Sequence, residues 1–298
     1  MAPAVIKTIL LLSAALLVGA ASARFLLLPG RADRHVTLGA WGGTLLLLGA
    51  SVYDLYATIP AVLCVVDTEM FVRYATTSRH GEAVMWRSGA AVLLAVTVSL
   101  RPRAWTALVS IPLSLVVLGS FSYISHAAAM GGTMPLVLDL VHFLAAGVWA
   151  GGLLYVSLAP IFGAGASAVL RSAMERLSTV GLVSVGLLFV SGTVLSLVHA
   201  GEPDTFVSSP YVRSLIIKLV LVAAVVLIAA VNRFRILPAL RRGSPPKALR
   251  SLLGFEAVLL VAVFAATGLL STSELPHSGG ADVNPASNLS RLIDYLWR

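Results

Sequence analysis

The sequence LVLVAAVVLIAAV fills residues 219–231 with thirteen consecutive apolar residues. With its flanks it forms an apolar run over 211–234, and about 20 residues are enough for a helix to span the hydrocarbon core of a bilayer. Further runs of this kind occur along the chain. We predict transmembrane helices at roughly 5–28, 36–59, 82–100, 104–124, 135–158, 176–199, 211–234 and 250–272. The predicted fold class is all-α, a polytopic membrane bundle of about eight helices.

The bulk composition agrees with a membrane location. Hydrophobic residues make up 58% of the chain and charged residues 11%, whereas soluble domains average about 25% charged. A soluble enzyme or nucleic-acid-binding domain could not cover its surface with so few charges. The formal net charge of +8 resides mainly in loops, where basic residues meet anionic lipid headgroups. Membrane lipid is therefore an expected partner and nucleic acid is not. The single cysteine, Cys64, excludes an intrachain disulfide.

The distribution of basic residues predicts the orientation. With eight spans, one face of the membrane receives 13 of the 21 Lys and Arg residues, and the more basic face is cytoplasmic. Both termini are then expected outside, in a multi-pass protein of the bacterial cytoplasmic membrane. Residues 21–23, Ala-Ser-Ala, resemble a signal-peptide cleavage site. Cleavage there would leave Arg24 outside, so the first span is expected to be retained.

Three regions are predicted along the chain. Residues 1–124 hold four spans and an outer segment, 60–81, that is interfacial or partly re-entrant. Residues 125–276 hold four more spans, and residues 277–298 form a polar tail. Arg87, at the start of the third span, is expected near an interface.

Histidine and methionine gather in the loop between the fourth and fifth spans. His126, Met130 and Met134 lie there in a stretch without charge. Imidazole and thioether ligands together suit copper, above all Cu(I), better than magnesium or calcium. Methionine also fills irregular gaps in cores, and a histidine near an interface is often merely hydrated, so both interpretations stay open.

The fifth span carries an ionisable pair. Asp139 and His142 are three residues apart and share one helix face, which Trp149 continues seven residues later. His142 lies about 10 Å inside the span at 1.5 Å per residue. Ionisable groups at that depth are costly unless they face a partner or a wet cavity, and they mark candidate functional sites. Asp139 could orient a metal-binding His142, or the pair could simply tie helices together.

Other charged residues also fall within the predicted spans. Asp54 and Lys218 lie at depths comparable to Asp139, so Lys218 could neutralise one of these carboxylates or take part in ion uptake. Glu256 lies near the inner end of the eighth span, level with Arg233 at the end of the seventh. The favoured interpretation is a Glu256–Arg233 ion pair that closes the cytoplasmic end, and the alternative is an exit ligand.

One stretch of the fifth span has the pattern of a known family. Residues 139–153, DLVHFLAAGVWAGGL, resemble the D-x-x-H…W-x-G-G-L helix of the CopD copper-resistance family. The resemblance covers about 120–276 and is supported by further motifs in order: His126-Ala-Ala, Arg176-Leu-Ser178, Lys218-Leu219, Asn232-Arg233, Pro238, Glu256 and Pro276.

The resemblance implies an eight-span inner-membrane protein that takes copper from the periplasmic side and moves it inward. It also implies a small periplasmic copper-binding partner, CopC, and metal handling by His126, Asp139 and His142. The chain departs from fused family members because it carries no CopC-like segment and no dense methionine-rich segment.

Copper uptake or tolerance is therefore the leading hypothesis. The sequence contains no G-x-x-x-x-G-K-[ST] phosphate-binding loop, so we expect transport of copper ion without ATP, and no enzymatic activity. One alternative is a haem-b electron carrier in which His126 and His142, or His142 and His199, ligate the iron. Another is a non-catalytic assembly scaffold whose polar pairs only lock helices together.

Overall fold

A computed structural model describes residues 2–28, 34–63, 68–125, 133–158, 167–199, 210–242 and 249–273. Within these ranges the chain is helical, without strands. The helices are α1 (Ala2–Ser22), α2 (Arg34–Leu63), α3 (Thr68–Thr77), α4 (Arg79–Ser99), α5 (Ala104–Tyr123), α6 (Thr133–Leu158), α7 (Ser167–His199), α8 (Pro210–Val231), α9 (Leu237–Arg241) and α10 (Leu249–Ser271). A π-helical turn, Ala23–Leu27, extends α1, and another, Asn232–Ile236, joins α8 to α9.

The prediction of an all-α bundle of about eight membrane spans is confirmed. Eight helical segments of the described chain are long and apolar enough to cross a membrane. The seventh is longer than predicted, since helix continues through the π turn and covers Tyr211–Arg241. The sixth begins earlier than predicted, at Val169. Helix α3, which falls in the predicted 60–81 segment, has no buried residue.

Helix α1 lies at the centre of the bundle and packs against α2, α6 and α10. The backbones of α1 and α6 are in direct contact at Gly19 and Gly151. A Cβ on either glycine would overlap the other helix, so only glycine fits at these two positions. Such close approach strengthens packing between membrane helices, where lipid supplies little hydrophobic driving force. One apolar core joins α1, α2, α4 and α5, and a second joins α6, α7, α8 and α10.

Polar contacts identify the two ends of the bundle. At one end the Arg24 guanidinium donates to the Leu100 carbonyl at 2.9 Å, and Arg241 pairs with Glu175 at 2.8 Å. We call this the arginine-rich end. At the opposite end Lys7 Nζ lies 2.9 Å from the Asp54 carboxylate. The basic bias predicts that the arginine-rich end is cytoplasmic.

Candidate functional site

His142 lies in the opposite half of the bundle, where α6 meets α7. Its Nδ1 is 3.1 Å from the Ser191 hydroxyl oxygen. The ring also packs on Gly192, where a Cβ would come within 3.2 Å of the imidazole. The consecutive Ser and Gly of α7 thus provide a hydrogen-bond partner and the space for the ring. Sequence analysis missed both residues, although this Ser-Gly step in an apolar helix is a signal for close contact.

The Ser191 hydroxyl fixes which nitrogen of His142 carries the proton. Ser191 donates its single proton to the Leu187 carbonyl at 2.6 Å. Its oxygen therefore accepts a hydrogen bond from Nδ1–H of His142. In the neutral ring, the lone pair is then on Nε2, the form in which imidazole binds a metal ion. This Nε2 has no hydrogen-bond partner among the described residues.

Lys218 of α8 completes this polar group. Its charge interacts with the carboxylate of Asp139 and with His142. Asp139 and His142 are both partly buried on α6. Of the two carboxylates considered in the sequence analysis, Asp139 is the one whose charge reaches Lys218, and its neutralisation by Lys218 stays a prediction. We call Asp139, His142, Ser191 and Lys218 the α6–α8 cluster.

The other predicted metal ligands lie apart from this cluster or outside the described residues. Met134 lies on the first turn of α6 with 42% of its surface exposed. It is eight residues from His142, about 12 Å along the helix axis. His126 and Met130, and the side chain of His199, lie outside the described residues, so the bis-histidine haem hypothesis stays a prediction. Within the described ranges, no group of three or more His, Cys, Asp or Glu residues could hold a metal ion.

A second polar cluster lies in the first four spans. Asp54 of α2 accepts hydrogen bonds from Lys7 Nζ at 2.9 Å and from His80 Nε2 at 3.0 Å through the same oxygen. On its other side, His80 Nδ1 lies 3.3 Å from the Tyr74 hydroxyl of α3. Asp54 is thus compensated by Lys7 rather than by Lys218. We call Lys7, Asp54, His80 and Tyr74 the Asp54 cluster.

Arg87 is buried in the same half of the molecule. Its exposed fraction is 0%, and it lies eight residues inside the span that begins at Arg79, deeper than the expected position near an interface. The guanidinium stacks 4.4 Å from the centre of the Phe121 ring, and it interacts electrostatically with the carboxylate of Asp54. Its three nitrogens have no hydrogen-bond partner in the described part of the chain. The cation–π contact and the attraction to Asp54 therefore compensate the guanidinium for the water that it loses on burial.

The ion pair predicted between Glu256 and Arg233 is replaced by two other contacts. Asn232 donates to Glu256 at 2.7 Å. Arg233 donates from Nη1 to the Ser178 hydroxyl at 2.6 Å and to its carbonyl at 3.2 Å. Neighbouring residues of a helix point in directions about 100° apart. Asn232 therefore faces α10 while Arg233 faces α7.

Comparison with protein families bears on this half of the molecule. Residues 171–270, about a third of the chain, match the family model described as Copper resistance protein D. We call these residues, 171–270, the CopD region. The recognition made from the sequence is thereby confirmed over these residues, which include Ser191, Lys218 and Glu256 but neither Asp139 nor His142. No curated protein and no solved structure matches the chain.

The CopD region gives a coarse functional assignment. The match relates residues 171–270 to copper resistance, and the eight candidate spans of the described residues support a multi-pass membrane protein. The predicted membrane localisation is confirmed, and the bacterial inner membrane is consistent with it. The residues that handle copper, and its route, are matters for a proposal.

Proposed function

We propose that the chain carries copper ion across the cytoplasmic membrane, with His142 as the ligand that captures it. The observation that carries this proposal is the unshared Nε2 lone pair of His142, held in place through Nδ1 by Ser191. A ligating imidazole whose other nitrogen is hydrogen-bonded is the usual arrangement at metal sites. The CopD region supports copper as the ion.

Asp139 and Lys218 give the α6–α8 cluster a way to bind the ion weakly enough to release it. Before copper arrives, Lys218 balances the negative charge of Asp139. An incoming cation competes with Lys218 for that charge, so binding to His142 costs part of an existing interaction. A transport site must bind strongly enough to strip water from the ion and still let it leave.

The membrane potential supplies a driving force in this proposal. If the arginine-rich end is cytoplasmic, the cation moves toward the negative interior, and each charge gains about 2.3 kcal/mol per 100 mV. No phosphate-binding loop for ATP occurs in the sequence. We therefore propose transport rather than catalysis, with a CopC-like periplasmic protein as the copper donor.

Copper uptake by proteoliposomes tests this function. Purified chain is reconstituted, Cu(I) is supplied outside as a soluble complex, and copper inside is measured over time under an imposed potential. We expect His142→Ala to lower the initial rate by about tenfold or more, the scale of effects at metal sites. His35→Ala, on α2 at the arginine-rich end, is the matched control and should keep the wild-type rate. An unchanged rate in His142→Ala would remove His142 from the route.

A further inference from the structure

A cavity of about 200 Å³ lies in the arginine-rich half of the bundle, between α6 and the CopD region. Side chains of α6, α7, α8 and α10 line it, and most of its wall is apolar. Trp149, Val185 and Val226 form part of this wall. The α6–α8 cluster does not line it. The cavity is therefore separate from the proposed copper site.

The cavity opens sideways, toward lipid. Among the described residues the backbones of α7 and α8 are not closely packed against each other, so the contact between these helices is made by side chains. Leu182 of α7 and Phe234 of the π turn line the cavity and are 63% and 72% exposed. Large apolar residues exposed on a membrane helix face hydrocarbon chains. A molecule dissolved in the bilayer can reach this cavity without crossing water.

The polar end of the cavity carries Arg233 and Glu256, which are not paired with each other. Arg233 uses Nη1 on Ser178 and has further N–H donors on Nη2 and Nε. Glu256 uses Oε2 to accept from Asn232 and has a second carboxylate oxygen. A guanidinium suits phosphate and a carboxylate suits an ammonium group. The pair thus matches a zwitterion better than a simple anion or cation.

The depth of these groups matches a phospholipid. Arg233 is separated from the apolar run 219–231 only by Asn232, at the level where hydrocarbon gives way to headgroups. Trp149 is nine residues from the end of α6, about 13 Å into the membrane. The charged end of the cavity therefore lies at headgroup level, and its apolar wall extends toward the bilayer centre.

We propose that this cavity binds one aminophospholipid from the leaflet at the arginine-rich end. Its phosphate lies on Arg233, its primary ammonium on Glu256, and one acyl chain lies along Trp149, Val185 and Val226. This site does not depend on copper. Because the lipid would bridge α7 and α8, whose backbones are not closely packed, it acts as a packing element of the CopD region.

Native mass spectrometry of the purified, delipidated full-length chain tests the proposal. Phosphatidylethanolamine and phosphatidylglycerol with identical chains are titrated in parallel, since both have the phosphate and only the first has the ammonium. We expect one molecule of phosphatidylethanolamine bound about tenfold more tightly, as for a charge-assisted hydrogen bond. Equal affinities, or preferred binding of an isoprenoid quinone, would overturn the proposal.

Three variants separate the headgroup contacts from general effects. Glu256→Gln should abolish the preference for phosphatidylethanolamine, and Arg233→Gln should weaken both lipids. Arg241→Gln removes one partner of an exposed ion pair at the same end and should change neither affinity. Preserved selectivity in Glu256→Gln would overturn the assignment of the ammonium.

A steric variant keeps the proposal testable if a charge change prevents folding. Ala230 lines the cavity, so Ala230→Leu should expel the acyl chain and lower the affinity for both lipids. Ala223→Leu makes the same change two turns earlier on α8, at an exposed position. This variant should bind lipid like the wild type. Glycerophosphoethanolamine, which has the headgroup without chains, should not compete. Unchanged binding in Ala230→Leu would overturn the site.

Discussion

The first four spans and the last four spans each bury charged residues at the end of the bundle opposite the arginine-rich end. The two groups of residues differ in how their hydrogen-bonding atoms are used. In the Asp54 cluster, one carboxylate oxygen receives hydrogen bonds from Lys7 and His80. In the α6–α8 cluster, His142 uses one nitrogen on Ser191 and keeps the lone pair of the other. The first cluster joins four helices, α1, α2, α3 and α4. The second leaves bonding capacity for a ligand.

This difference teaches that depth in the membrane does not by itself identify a functional residue. Asp54 and Asp139 lie at comparable depths in the sequence analysis, yet the contacts of Asp54 tie helices together. A buried ion pair stabilises little by itself, but breaking it is costly because the remaining charge is uncompensated. The four predictions that follow test whether the Asp54 cluster is structural and the α6–α8 cluster functional.

The largest expected effect is on stability, at Asp54. Asp54→Asn leaves Lys7 without its ion-pair partner, so the free energy of unfolding should fall by about 3–5 kcal/mol. Unfolding in lipid–detergent micelles measures it. His142→Ala should cost much less, because it removes one hydrogen bond of about 1 kcal/mol. Equal losses in the two variants would erase the distinction between the clusters.

A smaller effect is expected on copper affinity at Ser191. Ser191→Ala removes the group that fixes the His142 tautomer, so copper affinity should fall about tenfold. Titration of the purified protein with a competing Cu(I) chelator measures the affinity. Ser184→Ala, at a buried serine two turns earlier on α7, is the matched control. Wild-type affinity in Ser191→Ala would show that the hydrogen bond does not orient a ligand.

The protein should tolerate loss of the charge of Arg87 and should even become more stable. Arg87→Met keeps an apolar stem against Phe121 and removes a guanidinium with no hydrogen-bond partner in the described chain. Stability should rise by about 1 kcal/mol. Arg79→Met is the control, since Arg79 also lies over an aromatic ring, Tyr123 at 4.5 Å, but is exposed. A large loss in Arg87→Met would mean that the buried charge is essential.

The smallest effect is a pH dependence at Tyr74. Burial, and then the nearby Asp54 charge, raise the pKa of the Tyr74 hydroxyl above its usual 10.0, while a hydrogen bond with Ser78 opposes the shift. The folded protein thus holds this proton more tightly than the unfolded chain. The stability contribution is present below the unfolded pKa and is lost as the pH rises through the folded pKa.

Thermal unfolding at a series of alkaline pH values measures this contribution. Tyr74→Phe should flatten part of the decline, whereas Tyr53→Phe, at an exposed tyrosine, should not. The same decline in Tyr74→Phe and wild type would assign the pH dependence elsewhere.

The membrane spans could be predicted from the sequence because long apolar runs have one stable form in lipid. The shared face of Asp139 and His142 follows from helical spacing alone. Side-chain contacts between helices were harder to predict from the sequence. Lys7 and Asp54 are 47 positions apart, and their contact depends on how α1 packs on α2. Arg87 was misplaced because hydropathy gives no information about a buried aromatic partner such as Phe121.

The error at Glu256 has a local cause. Asn232 and Arg233 lie at the same depth as Glu256. Because only Arg233 carries a charge opposite to that of Glu256, the sequence favours the Glu256–Arg233 ion pair. The π turn Asn232–Ile236 begins at these residues and its wider turn changes the angular register of the side chains. Such a turn has no reliable sequence signal, so the orientation of Arg233 toward Ser178 could not be predicted.

X-ray absorption of the Cu(I)-loaded, purified chain tests the central claim most directly. We predict that wild-type protein binds copper with a nitrogen ligand in its coordination shell. His142→Ala should lose that nitrogen together with the bound copper, while His35→Ala keeps both. Identical copper content and identical spectra in wild type and His142→Ala would contradict the account.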